Sequence, residues 1–236
     1  MTNMPEAEWL ACTDPAVMWE DLWYPHVNDH VRTRIWDAAE DGQERLTRLC
    51  RSAFARHDAR LKDDPAVLRS ILLCEAEADH GRDEEAVAEA EADLDPPEIP
   101  ESAGGVAWYR YTTARGLIEE FDGIYWQLVC GELNWLAPDA AGRRVQADLL
   151  RDIFGNPMRR VRVEPAWLAW SGGAIVQLAR AIYEERAFHG MPLLGDLLQD
   201  AGCTAATVLE HCRAPVTHVR GCWVLDGLLG KAARVP

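Results

Sequence analysis

Apolar residues recur along this chain three and four positions apart, the spacing of a single helix face. Met18, Trp19, Leu22 and Trp23 share such a face. They follow Asp14-Pro15, an N-cap with proline at the first helical position, and Pro25 ends the run. A second helix is predicted over 30–40 and a third over 43–60, where Leu46, Leu49, Cys50 and Phe54 form the stripe. Asp64-Pro65 repeats the start signal before Val67, Leu68, Ile71, Leu72 and Cys74. Later stripes are Leu117, Phe121, Ile124, Tyr125 and Leu128; then Val145, Leu149, Leu150 and Ile153; then Ile175, Leu178, Ala179 and Ile182. Gly155-Asn156-Pro157 stops the middle one. Short helices follow over 192–201, 204–212 and 218–230. Only near 158–163 does the period fall to two, as Arg159, Arg160 and Arg162 alternate with Val161 and Val163. The expected fold is therefore all-α: a bundle-like architecture of about eight to ten helices, with at most a short extended segment near 158–163.

Charge divides this pattern. The chain carries a net charge of −15 over 236 residues, and eleven acidic side chains against one arginine fall within 75–98. Ala-Glu repetition favours helix there, but the segment offers little apolar face beyond Val87 and Leu94, so a solvated helix is expected. It runs into DPPEIPESAGG, residues 95–105, where proline and glycine block regular structure. The predicted organisation is an N-terminal helical region over 1–95, a linker over 96–105 and a C-terminal helical module over 106–236. The acidity argues against nucleic-acid binding and against docking on an anionic membrane. MTNMPEAEWL has neither a basic n-region nor an apolar h-region, and no apolar run nears the roughly 20 residues of a membrane helix. Seven cysteines are an odd number, and free thiols in a reducing cytoplasm are the expectation.

Candidate chemistry gathers near the C-terminus. Cys203, His211, Cys212, His218 and Cys222 are thiolate and imidazole donors, the ligands a structural zinc takes four at a time. His218 and Cys222 are four apart and would share a helix face. No C-x-x-C pair supports a compact knuckle, so the competing reading is buried small hydrophobes with locally bonded histidines. Glu77-Ala78-Asp79-His80 matches one Glu-x-x-His element, but a di-metal bundle needs two. His26 and His30, with Asp29, give two ligands at most. Ser171 before Gly172-Gly173 reads as an N-cap, and Cys212 beside His211 does not form a nucleophile–base pair, since helix neighbours point apart. Gly230-Lys231 lacks the upstream glycine of a phosphate loop, because Leu225 stands there. Arg159, Arg160 and Arg162 could bind an anion, but pairing with the acidic segment or simple solvation is the expectation, since the chain carries many spare carboxylates.

The segments EAEWLACTDPAVM, LLRDIFGNP, QLARAIYEERAF, MPLLGDLLQDAGC and HCRAPVTHVRGCWVLDGLLGK resemble a family of uncharacterised planctomycete proteins. The resemblance spans about residues 148–231, with a short stretch at 6–18. His211, Cys212, His218 and Cys222 stand on matching positions, whereas Ala214-Pro215-Val216-Thr217 replaces a Gly-Pro-Gly-Pro loop. It implies a reused C-terminal module and no particular activity.

Three functions are weighed on these grounds, the lowest-ranked being nucleic-acid regulation through the Arg-rich stretch 143–162, which the net charge opposes. The first is a helical module without catalytic activity that binds another protein, its tryptophans serving as surface anchors. The second is a metal-dependent enzyme or zinc-stabilised domain using the C-terminal cysteines and histidines.

Overall fold

The computed structural model describes residues 4–23, 40–94, 106–118, 139–159 and 161–231. Among these the chain is all-α, with twelve α-helices and no strand. They are α1 (Glu6–Ala11), α2 (Pro15–Trp23), α3 (Glu40–His57), α4 (Pro65–His80), α5 (Glu84–Ala92) and α6 (Val106–Ile118), then α7 (Ala140–Phe154), α8 (Pro165–Ala169), α9 (Ala174–Glu185), α10 (Met191–Asp200), α11 (Ala206–Arg213) and α12 (Trp223–Leu229). The two elements beyond the expected eight to ten are five- and six-residue pieces, α8 and α1, too short to carry a readable stripe. No described helix is long and apolar enough to cross a membrane. The predicted helix over 30–39, the stripe beyond Ile118, the linker over 96–105, and His26, Asp29 and His30 lie outside the described residues.

Local chemistry sets the boundaries. Asp64 Oδ1 accepts from the amides of Ala66 and Val67, and Pro65 opens α4, as the Asp-Pro signal predicts. Asp139 caps α7 through the amide of Gly142 at 2.7 Å. Gly155, at φ +68°, closes that helix in the left-handed region, and a Cβ there would stand 3.0 Å from the Trp223 ring. The expected cap at Ser171 is not made. Ser171 lies in a 3-10 turn at φ 47°, and Gly173 precedes α9 with no side-chain cap.

Three apolar clusters form. The first joins α1, α2, α3 and α7 through Trp9, Met18, Trp19, Leu22, Phe54 and Leu150. The second is built from α8 to α12. The third packs α4 and α6 on the end of α3, through Leu61, Val67, Ile71, Ala114 and Leu117. Packing therefore crosses residues 96–105, with α6 on α4 and α7 on α2 and α3. The N-terminus docks on the end of α7. Trp9 Nε1 donates to Gly155 O at 3.2 Å, Asn156 donates to Glu6 at 2.7 Å, and Arg151 donates to the carbonyls of Trp9 and Cys12. Arg151 thus serves the free carbonyls that end α1, and Arg159 pairs with Glu6. None of the tryptophans with described side chains is exposed: Trp9, Trp19 and Trp167 are buried, and Trp108, Trp170 and Trp223 half-buried. The exposed large apolar residues are aliphatic, so no tryptophan surface patch occurs among the described residues.

The acidic segment departs from a solvated helix. Its first part belongs to α4, whose Glu75, Glu77 and Asp79 side chains are no more than 4% exposed. Arginines spread over distant segments meet them. Arg48 binds Glu77 at 2.5 Å, Arg56 and Arg186 bind Glu75, and Arg45 binds Asp79 at 3.2 Å and Asp226 at 2.7 Å. His80 is exposed, so the Glu-x-x-His match holds no site. Only α5, with Val87 as its one buried residue, fits the solvated reading.

Asp79 gives this network a pH signature. Burial pushes its carboxyl up, but Lys231 at 3.0 Å, the Arg45 charge and the Tyr183 hydroxyl outweigh that and hold it below its ordinary value of 3.8. A carboxyl lowered by folding contributes stability that is complete above roughly pH 4 and is lost as pH falls through the folded value. Urea unfolding between about pH 5 and pH 2 should show this loss, with a shallower slope in Asp79→Asn. Parallel slopes would remove Asp79 from the acid response.

Candidate metal centre

Asp152, His211, His218 and Cys222 come from three parts of the fold. Asp152 follows Leu149 by one turn on α7, so it projects with the apolar stripe into the interior. His211 stands on α11 between Leu209 and Cys212 and turns toward α7. His218 and Cys222 lie on the connection to α12, not on a helix as their spacing suggests, because α12 begins only at Trp223. Gly221 is the reason. It sits at φ +88°, where a Cβ would meet Leu49 Cδ1 at 3.0 Å, and the turn it makes, closed by the Cys222 amide on Val219 O at 3.1 Å, sets Cys222 just ahead of α12. Connection and core are thereby locked together.

The donor atoms of these four residues all lie within 4.8 Å of one another. His211 Nε2 is 3.2 Å from Asp152 Oδ1 and 3.3 Å from Cys222 Sγ. His218 Nδ1 is 2.6 Å from Asp152 Oδ1, while Asp152 Oδ2 accepts from the Val219 amide at 2.8 Å. The site is enclosed. Asp152 and Cys222 are no more than 1% exposed, His218 is 5% and His211 14%. Burial pushes the Asp152 carboxyl up, but its bonds to His211 and His218 outweigh this and hold it below the carboxylate range. Burial and the charge of Asp152 raise the Cys222 thiol.

Two observations favour a metal over the alternatives. One nitrogen, His211 Nε2, faces both the carboxylate and the sulfur. In a Cys–His–Asp triad those partners would sit on opposite ring nitrogens. Asp152, His211 and Cys222 would hold a cation with donor separations of 3.2 and 3.3 Å about His211 Nε2, near those of a tetrahedral shell, and the 2.6 Å His218–Asp152 pair would open to admit it. The second observation is His218 Nε2, a buried ring nitrogen with no hydrogen-bond partner. Nδ1 of the same ring already meets Asp152, so a water or an ion at Nε2 would complete this histidine's bonding.

Three of the five sequence candidates converge and two do not. Cys203 and Cys212 are buried in the apolar cluster of the C-terminal helices, outside the group of four. On α11, Cys212 projects about 100° away from His211 and packs against Gly195, and burial pushes its thiol up to about 12. Asp152 is the residue the sequence reading missed. Its signal is a lone carboxylate set one turn after Leu149 and beside Ile153 in the LLRDIF stripe.

Comparison with models of known protein families, with curated proteins and with solved structures finds no match to this chain.

Proposed function

We propose that this chain is a metal-stabilised helical protein in which Asp152, His211, His218 and Cys222 bind one zinc ion. The convergence of their four donor atoms within 4.8 Å carries the reading. Two imidazoles, one thiolate and one carboxylate suit zinc better than magnesium or calcium, which take oxygen donors. Four protein ligands fill a tetrahedral shell and leave no position for substrate, as in structural rather than catalytic sites. The role follows from where the ligands stand. Asp152 belongs to α7, which packs on α2 and α3, and the other three belong to α11 and the connection to α12. The ion ties the C-terminal helices to the N-terminal core.

Protein purified without chelator should contain about one equivalent of zinc, and a strong chelator should lower its melting temperature. Elemental analysis read beside a melting curve checks both. Less than about a tenth of an equivalent of any transition metal, with unchanged melting in chelator, would sink the proposal.

A further inference from the structure

A second cluster lies where α3 and α4 meet α9, α12 and the connection carrying Arg220. Five cations, Arg45, Arg56, Arg186, Arg220 and Lys231, meet three carboxylates in two sets of ion pairs: Glu75 with Arg56 and Arg186, and Asp79 and Asp226 with Arg45, Arg220 and Lys231. The surplus is two positive charges in a protein whose net charge is −15. Asp226 and Asp79 absorb Arg45 and Lys231 at one end. At the other end Arg56, Arg186 and Arg220 have Glu75 and a 3.5 Å contact from Arg220 to Asp79.

Donor capacity is left over there. Arg56 reaches Glu75 only through Nη2, and Arg220 reaches Asp79 through Nη1. The Nε–H groups of both are buried without a hydrogen-bond partner. Buried unsatisfied donors in a native fold call for an unseen water or anion. The three guanidiniums are also held in place. Arg186 sits at φ 55°, an uncommon conformation for a non-glycine residue, and Arg220 lies over the Tyr183 ring at 5.1 Å. Burial, then the nearness of Arg56 and Arg220, pulls the Arg186 guanidinium down to about 10, the direction expected of a cation short of anions. Side-chain exposures of 18% to 28% leave all three within reach of a solute.

We propose that Arg56, Arg186 and Arg220 form a binding site for a phosphate group, either inorganic phosphate or a phosphate monoester. A surplus of two charges matches a dianion better than a second carboxylate, and guanidinium forks fit phosphate oxygens in pairs. Arg220 lies between the proposed ligands His218 and Cys222, whereas Arg56 and Arg186 stand on other segments, so zinc content measured on the same Arg56 and Arg186 samples separates the two readings.

The test is calorimetric titration of the full chain with sodium phosphate, O-phosphoserine and disodium succinate, each against sodium chloride at matched ionic strength. Saturable binding of phosphate, with succinate much weaker, is the expected result. O-phosphoserine binding as tightly as phosphate assigns the site to a phosphorylated molecule, and its failure while phosphate binds assigns it to the free ion. Arg56→Gln and Arg186→Gln should each weaken binding about ten- to a hundredfold, with zinc content and helical circular dichroism retained. Should either variant fail to fold, Arg56→Lys keeps the charge and should weaken binding through loss of the fork alone. Exposed Arg144→Gln should bind as the parent does. A phosphate signal equal to chloride, succinate binding as tightly as phosphate, or unchanged affinity in folded Arg56 and Arg186 variants would overturn the proposal.

Discussion

Cys222→Ala should release the zinc and destabilise the fold by about 4 kcal/mol or more, the scale of a lost metal. The substitution separates two accounts of the same coordinates. If Cys222 were only a buried small hydrophobe, losing its sulfur would leave a cavity smaller than a methylene or two and cost about 1 kcal/mol. As a ligand, the thiolate is one of four groups holding an ion whose binding is coupled to folding, so its removal is felt by Asp152, His211 and His218 together. Pairing it with His218→Ala sharpens the contrast. Once one ligand is gone and the ion lost, the second substitution should add little, because residues acting on one ion are not additive. Urea unfolding of both single variants and the double variant, with zinc measured in each, reads out the cycle. Additive effects near 1 kcal/mol apiece, with metal content unchanged, would mark Cys222 as packing and nothing more.

Arg45→Met should destabilise by about 3–5 kcal/mol, the usual cost of leaving a buried carboxylate without its partner. Arg45 is 13% exposed, and its guanidinium spans Asp79 and Asp226, with a further bond to the Tyr183 hydroxyl at 3.0 Å. Asp226 is wholly buried and Asp79 nearly so. Removing the arginine leaves Lys231 and Arg220 for Asp79 and strips Asp226 of this guanidinium. Adding Asp226→Asn should restore part of the loss, because the uncompensated charge goes with the carboxylate. A change below about 1 kcal/mol in the single variant would mean that solvent reaches these carboxylates and that the pair acts like an exposed one.

The helices were legible because periodicity and Asp-Pro caps act within a few residues. Asp64-Pro65 and the Ile175–Ile182 stripe read as they fold. The acidic segment misled because charge alone does not say where a side chain points. Glu75, Glu77 and Asp79 recur every second position, yet α4 turns them inward toward Arg48, Arg56 and Arg45, residues 19 to 34 positions away. The candidate metal centre was half legible. His211, His218 and Cys222 are of recognisable types, but Asp152 is 66 positions from His218, and only tertiary packing joins them. The spacing of His218 and Cys222 suggested a shared helix face, and the glycine between them broke the helix and brought them together by another route.

The docking of Trp9 has a consequence for synthesis. Its indole N–H meets the Gly155 carbonyl 146 positions later, and the end of α1 relies on Arg151 for its carbonyls. A ribosome adding about 5–20 residues per second takes roughly 7–30 s to make that partner. For this interval Trp9, Met18, Trp19 and Leu22 lack the α7 part of their cluster and have only α3 residues such as Leu46 and Phe54 to pack on. The packing of this segment is thus completed only once α7 has been translated.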